Sequence, residues 1–210
     1  GGAIFNNSTN DLAMAIEYSH FGETLSIPLP LPAPLNVLSL TDPNRVTGTS
    51  ETTAGGGAIY NFGPLLVLGS SFIGNTSSNH GGAFHNTAAV SGNPPLLTRQ
   101  VMLANSTFSG NSATNDGGAI YHNREDNLLQ LVNVTIADNT ANSGGGIFNQ
   151  GDGESPSVSN FDDLYITNSI LANNTPANCA GGTLGNGSSL ASGGNVVFGS
   201  ACAILQQDGA

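Results

Sequence analysis

The sequence predicts an all-β chain folded as a single-stranded parallel β-helix, a solenoid of about six to seven coils. Two recurring motifs indicate this fold. The first is a glycine pair followed by Ala or Gly and then Ile or Phe, and it starts at Gly1, Gly56, Gly81, Gly117 and Gly144. The second is an aromatic or aliphatic residue three positions before Asn, found at Phe72–Asn75, Phe108–Asn111, Ile136–Asn139 and Leu171–Asn174. Self-similarity with a period of roughly 20 to 50 residues is typical of stacked repeats.

A run of alternating apolar residues precedes each second motif, as in Val101 and Leu103. Period-two alternation predicts a strand with one buried face. The same alternation precedes Phe21 and Val46, although threonine stands there in place of the motif's Asn. We therefore expect one coil for each of these marker residues: Phe21, Val46, Phe72, Phe108, Ile136 and Leu171.

The distance from each second motif to the next glycine pair is nearly constant along the chain. The distance from each glycine pair to the following second motif varies widely. Insertions in a solenoid map to loops on one face, so we expect the variable loops to emerge at a single corner of the coil.

The recurring Asn is expected to form a side-chain amide ladder, each amide donating to one neighbour and accepting from the other. Asn also tolerates the left-handed backbone that a sharp corner requires. The predicted ladder residues are Asn75, Asn111, Asn139 and Asn174. The glycine pairs fit the next corner, where positive φ or close backbone approach excludes a Cβ. These corner glycines are Gly56, Gly57, Gly81, Gly82, Gly117, Gly118, Gly144 and Gly145.

The pairing of Gly-Gly-Ala-Ile with Phe-x-x-Asn resembles the repeats of chlamydial polymorphic outer-membrane proteins and of bacterial right-handed parallel β-helix surface proteins. The resemblance covers roughly residues 1–175, and Phe72–Asn75 and Phe108–Asn111 match the second motif in full. It implies a right-handed β-helix that is secreted or located at the cell surface. It implies no particular activity, because one fold hosts many functions.

We expect one β-helix domain over residues 1–178, followed by a C-terminal coil or cap over residues 179–210. Cys179 and Cys202 are the two cysteines of the chain. They are either a redox or metal pair or a disulfide, and we favour the disulfide because neither lies in a CxxC motif or beside a histidine. A disulfide would pin the C-terminal segment to the last coil and would indicate an oxidising compartment.

The composition points to a protein that contacts neither nucleic acid nor anionic membrane surfaces. The chain has no Lys, three Arg and 14 Asp plus Glu, which give a formal net charge of −11. A protein that binds nucleic acid or an anionic membrane surface requires a basic patch. No apolar run reaches the ~20 residues needed to span a bilayer, so we expect no direct membrane insertion and an extracellular or cell-surface location.

We expect no catalytic residues and no cofactor. The three arginines, Arg45, Arg99 and Arg124, fall at different points of different coils, so a lyase base is hard to identify. His85 and His122 follow equivalent glycine motifs, in the neighbourhood of Tyr60 and Phe148, and are interpreted as part of an aromatic or amphipathic stack. Carboxylates can bind Ca²⁺. The candidate ligands, which are otherwise a solvated loop, are Asp152, Glu154, Asp162 and Asp163.

Two Asn-x-Thr sequons occupy equivalent positions in successive coils, just outside the apolar pattern. They are Asn105 and Asn133, and if any Asn carries a glycan these are the candidates. A regular Thr-x-Thr array, which ice-binding solenoids require, is absent apart from residues 47–49.

The functional hypothesis is a non-enzymatic extracellular structural protein. The sequence starts inside a glycine motif and shows no N-terminal cap, so we expect its first coil to stack on another copy, end to end, in a surface filament. The proline-rich run 27–35 would lie along a neighbouring subunit or cover the first coils. The alternative is a cell-surface adhesin that binds glycans or proteins of a host or neighbouring cell through loops such as 87–99 and 149–162. A third hypothesis is a polysaccharide-active β-helix enzyme.

Overall fold

The computed structural model describes residues 4–6, 14–17, 19–22, 45–46, 55–87, 100–123, 128–150, 164–181, 194–200 and 202. These residues form strands and turns, and none of them forms a helix. In chain order the strands are β1 (Ile4–Asn6), β2 (Met14–Glu17), β3 (His20–Gly22), β4 (Arg45–Val46), β5 (Ile59–Asn61), β6 (Leu65–Leu68), β7 (Ser71–Ile73), β8 (Thr76–Ser77), β9 (Phe84–Asn86), β10 (Gln100–Ala104), β11 (Thr107–Ser109), β12 (Ser112–Ala113), β13 (Ile120–Asn123), β14 (Leu128–Val132), β15 (Thr135–Ala137), β16 (Ile147–Gln150), β17 (Leu164–Thr167), β18 (Ile170–Ala172), β19 (Cys179–Gly181) and β20 (Val196–Phe198).

The strands pair in four parallel sheets, which we call sheets A to D. Sheet A has the order β1-β5-β9-β13-β16-β19, and sheet B has the order β2-β6-β10-β14-β17. Sheet C has the order β3-β7-β11-β15-β18-β20, and sheet D has the order β4-β8-β12. The chain passes through A, B, C and D in turn and then returns to A one strand further along, which is the path of a parallel β-helix. The predicted fold class is confirmed.

The core is a column of inward-facing residues in each sheet. In sheet C, Phe21 stacks on Phe72 with ring centroids 4.9 Å apart, and Phe72 stacks on Phe108 at 4.5 Å. Ile136 and Leu171 continue this column and are fully buried. Parallel strands lie about 4.8 Å apart, so flat rings on neighbouring strands meet face to face. Each such buried side chain contributes roughly 1.5–3 kcal/mol of transfer free energy.

One predicted coil marker is wrong. The marker residue Phe21 pairs directly with Phe72, whereas Val46 pairs with Ser77 in sheet D. Val46 therefore belongs to the same coil as Phe21, and residues 23–44 are an insertion between β3 and β4. At the other end Val197 pairs with Leu171 and adds a sixth member to the column. The alternating residues that suggested a coil at Val46 lie outside the described part of the chain.

From β5 onwards, the connections between sheets vary in length mainly at one corner, as expected, whereas the first coil departs from this pattern. The connection from sheet B to sheet C always has two residues, as in 69–70, 105–106, 133–134 and 168–169. The connection from sheet A to sheet B ranges from 62–64 to 87–99 and 151–163. We call this corner the A–B edge. The first coil has two exceptions: residues 23–44 connect β3 to β4, and residues 47–58 connect β4 to β5, where later coils have 78–83 and 114–119.

The two ends of the core differ in exposure. Ile16 and Phe21, in the terminal strands of sheets B and C, are each only 7% exposed. At the opposite end Val197, although it belongs to the inward column, is 41% exposed, and Phe198 is 67% exposed. Ile16 and Phe21 are therefore buried, and the expected stacking of the first coil on another copy stays a prediction.

A disulfide joins Cys179 and Cys202, as predicted, with their Cα atoms 4.4 Å apart. Cys202 forms an isolated parallel bridge with Cys179, so the disulfide links neighbouring positions of sheet A. Closing a loop of this size contributes roughly 3 kcal/mol in the chain-entropy model. The domain boundary near residue 179 stays a prediction. Across the described residues, no helix has the length and apolar character to cross a membrane.

Candidate functional site

An amide ladder runs through the corner between sheets C and D. Nδ2 of Asn75 donates to Oδ1 of Asn111 at 2.9 Å, Asn111 donates to Asn139 at 2.9 Å, and Asn139 donates to Asn174 at 2.8 Å. Asn174 then donates to Asn178 at 2.8 Å. All five side chains are buried.

Each ladder amide also satisfies backbone groups. Oδ1 of Asn111 accepts the backbone N–H of Asn75 at 2.9 Å, and Nδ2 of Asn111 donates to the carbonyl of Phe72 at 2.9 Å. The same two contacts recur at Asn139: its Oδ1 accepts the backbone N–H of Asn111 at 2.8 Å, and its Nδ2 donates to the carbonyl of Phe108 at 3.1 Å. Buried polar groups cost free energy when they lack a partner. The ladder amides therefore provide the hydrogen-bond partners that water would provide at an exposed backbone corner.

Asn178 was not predicted as a ladder member. It lies four residues after Asn174 instead of one coil further along, and its Nδ2 donates to the carbonyls of Phe198 and Ser200. Asn178 is therefore the last amide of the ladder. In the next coil, Ser200 occupies the position that Asn holds in the inner coils. The sequence pattern does not identify Asn178, because it follows the spacing of neither motif in the run Asn173-Asn174-Thr175-Pro176-Ala177-Asn178.

The left-handed backbone was assigned to the wrong residue of the motif. Positive φ occurs at the residue before each ladder Asn, namely Gly74 (67°), Gly110 (63°), Asp138 (59°) and Asn173 (55°). The turn at this residue directs the following Asn inward, where its own N–H can donate to the next amide. This motif position is therefore occupied by Gly, Asp or Asn, the residue types that adopt positive φ at the lowest steric cost.

The two glycines of each pair have different roles. The first has positive φ, as at Gly117 (68°). The second faces the neighbouring coil so closely that a Cβ on Gly118 would lie 2.2 Å from the carbonyl oxygen of Gly145 and 2.6 Å from that of Thr140. The first glycine is thus required by conformation and the second by the close approach of two backbones.

Sheet A carries a second buried polar column. Asn61 Nδ2 donates to Asn86 Oδ1 at 2.7 Å, and Asn86 Nδ2 lies 3.0 Å from His122 Nδ1. An amide NH₂ can only donate, so Nδ1 of His122 accepts and the ring proton is on Nε2. Asn149 follows His122 in register. The predicted aromatic or amphipathic stack is therefore divided between two columns, and His122 lies in the polar one, where it takes the place of Asn.

His85 does belong to an aromatic column, on the opposite face of the same strands. Its ring lies 4.5 Å from Tyr60 and 4.7 Å from Tyr121, and Tyr121 stacks on Phe148 at 5.7 Å. The hydroxyl of Tyr121 donates to Oε1 of Gln150. Tyr60, His85 and Tyr121 are each buried. We call Tyr60, His85, Tyr121 and Phe148 the aromatic column.

Residues that immediately precede the glycine pairs cover this column. The ring of His80 stacks on Tyr121 at 4.4 Å, and Nδ1 of His80 lies 3.1 Å from Oδ2 of Asp116 on the next coil. Burial, followed by the charge of His80, lowers the pKa of His85 from its ordinary 6.5 to about 3. Burial raises the pKa of Asp116, although the neighbouring His80 acts in the opposite direction.

The remaining predicted site residues fall into two groups. Asn105 and Asn133 are exposed, have φ near 50°, and share a hydrogen bond of 3.1 Å from Asn133 Nδ2 to Asn105 Oδ1. The Ca²⁺ candidates Asp152, Glu154, Asp162 and Asp163 lie outside the described residues, as do Arg99 and Arg124. Within the described ranges no three His, Cys, Asp or Glu side chains come together as metal ligands.

Comparison with known proteins gives one family match. Residues 105–123 match the Chlamydia polymorphic membrane protein (Chlamydia_PMP) repeat. This segment spans the corner at Asn105, strand β11, the ladder residue Asn111, the glycine pair at Gly117 and strand β13. No curated protein and no solved structure matched the chain. The repeat defines a family of surface or outer-membrane proteins that is not known as enzymatic. The matched repeat and the stacked parallel sheets together fit a β-helix repeat protein of the polymorphic membrane protein type.

Proposed function

We propose that this chain is a non-enzymatic β-helix of a cell-surface protein, and that it binds a glycan or protein partner through the segments of the A–B edge. The single observation that carries the proposal is that, from β5 onwards, variable length is concentrated at that edge, while the B–C corner keeps two residues in every described coil. Binding residues are disproportionately found on loops that a rigid scaffold positions. The repeat match supports the surface location.

The charge of the A–B edge indicates the chemistry of a partner. Half of the 14 acidic residues fall in its segments: Asp11, Glu125, Asp126, Asp152, Glu154, Asp162 and Asp163. Segments 124–127 and 151–163 leave from the paired strands β13 and β16, so their attachment points are neighbours. A protein partner is therefore expected to present basic residues, and its binding to weaken with salt.

Shortening the A–B segments is expected to abolish binding without unfolding the β-helix. We would delete residues 153–161 and, separately, residues 90–97, and measure binding of each purified variant to a cultured cell layer and to a glycan array. The control carries Asn105→Gly and Asn133→Gly at the exposed B–C corner, where glycine fits the positive φ. Retained binding by both deletion variants, or loss of binding by the control, would contradict the proposal.

End-to-end stacking into a filament is the second candidate function. The exposed strand β20 favours it, because an unpaired strand edge is a template for another chain. The burial of Ile16 and Phe21 disfavours it, because stacking requires an open core at both ends. Electron microscopy of the same preparations distinguishes the binding function from the filament. The binding function predicts single short rods. Long fibres, formed by the deletion variants as well, would favour the filament.

A further inference from the structure

The aromatic column on sheet A is closed off from solvent by very small or titratable residues. Gly55 lies so close to His85 that a Cβ placed on it would be 2.1 Å from Nδ1 of the imidazole. His80 covers Tyr121 in the same way one coil further along. Because Gly55 has no side chain, the imidazole of His85 occupies the space beside the Gly55 backbone.

His85 is held in surroundings that oppose a positive charge. It is 4% exposed, lies between two phenol rings, and has its ring centroid 6.2 Å from that of His80. The titratable or charged groups around this cluster are Tyr60, Tyr121, His122, His80 and Asp116. His80 already pairs with the carboxylate of Asp116, so the nearest acidic group is engaged by the other histidine.

We propose that this cluster is an acid-sensitive cover: on protonation, His85 leaves its place between Tyr60 and Tyr121, and both tyrosines become accessible to solvent. The inference is independent of the proposed binding function. It rests on the position of one imidazole that is packed as a neutral aromatic ring but becomes a cation within a biologically accessible pH range.

The direction of the pH effect follows from linkage. The pKa of His85 is about 3 in the closed state and 6.5 when the ring is exposed. The closed state is therefore fully favoured above pH 6.5, and it loses stability as pH falls from 6.5 towards 3. Each pH unit in that window favours opening by up to about tenfold.

Two features of the cluster reduce the size of this effect. A cation between two tyrosine faces gains a cation–π interaction, which offsets part of the burial cost. The raised pKa of Asp116 also opposes opening, because a carboxyl that holds its proton more tightly in the closed state stabilises that state as pH falls. We therefore expect at least a tenfold change in the opening equilibrium between pH 6.5 and pH 4.

Tyrosine fluorescence offers a direct readout, because the chain contains no Trp and only four Tyr. Tyr18→Phe and Tyr165→Phe would leave Tyr60 and Tyr121, both in contact with His85, as the remaining emitters. In this background we expect acrylamide quenching to rise as pH falls from 6.5 to 4, while the far-ultraviolet circular dichroism of the β-helix stays constant. Addition of His85→Phe is expected to remove the pH dependence, since phenylalanine already occupies this column at Phe148. His85→Leu, which adds neither a titratable group nor an emitter, serves the same purpose if the first variant does not fold.

His122→Asn is the matched control. His122 is equally buried but lies in the polar column, where Asn is the neighbouring residue on both sides. The proposal requires this variant to keep the acid-dependent quenching of the parent. A pH response that disappears with His122→Asn instead of His85→Phe, quenching that does not change between pH 6.5 and 4, or loss of the circular dichroism signal together with the rise in quenching would each overturn it.

Discussion

Gly118→Ala should destabilise the β-helix by at least about 4 kcal/mol, enough to prevent folding or to lower the Tm by roughly 10 °C or more. The added Cβ would lie 2.2 Å from the carbonyl oxygen of Gly145 and 2.6 Å from that of Thr140. Both atoms belong to the backbone of the neighbouring coil, so neither can move without breaking the sheet pairing on that side. Thermal unfolding followed by circular dichroism measures the effect.

The matched control for this prediction is Gly110→Ala. Gly110, unlike Gly118, has positive φ, and a Cβ placed there meets no atom within 4 Å. Its replacement should cost only the left-handed conformational penalty of about 1–2 kcal/mol. A loss for Gly118→Ala no larger than that for Gly110→Ala would contradict the explanation of the second glycine by the close approach of two coils.

Asn111→Ala is expected to cost about 3–5 kcal/mol. The substitution removes the acceptor of the Asn75 backbone N–H and the donor to the Phe72 carbonyl, both in a fully buried corner. It also breaks the ladder in its middle, so Asn75 and Asn139 lose a side-chain partner. Urea unfolding gives the free energy directly, provided that the slope of the transition stays unchanged.

An exposed Asn provides the control for the ladder. Asn133 forms a side-chain hydrogen bond with Asn105 at the surface, and Asn133→Gly keeps the positive φ at that corner. We expect a change within about 0.5 kcal/mol, as is usual for surface positions. A loss below about 1 kcal/mol for Asn111→Ala would show that the ladder amides contribute little beyond the strands around them.

The sequence predicted those parts of the fold that every coil repeats. The columns at Phe72, Phe108, Ile136 and Leu171 could be found because inward residues recur at a fixed distance from the turn that follows them. Val46 was misassigned because a single apolar residue near threonine has the same local pattern in sheet D as in sheet C. Only the pairing of Phe21 with Phe72, across an insertion, distinguishes the two.

Side-chain roles that depend on the opposite face or on the end of the stack were harder to predict. His85 and His122 follow similar motifs but are offset by one residue, and in a strand one residue changes the face. Asn178 follows β18 in one coil, and Val197 belongs to the next coil, where Ser200 stands in place of the ladder Asn. The constant spacing that identifies the inner coils does not apply there.

The central claim is that the coils stack in the observed register, with β3 directly on β7. Paired Cα atoms on neighbouring strands are within the range that a disulfide bridges, as Cys179 and Cys202 show at 4.4 Å. We would introduce His20→Cys with Ser71→Cys and, in a second variant, Arg45→Cys with Ser71→Cys, oxidise both, and analyse non-reduced digests by mass spectrometry. The structure predicts a cross-link in the first variant and none in the second, because Ser71 pairs with His20 and Arg45 pairs with Thr76. A cross-link between positions 45 and 71 with none between 20 and 71 would contradict this register.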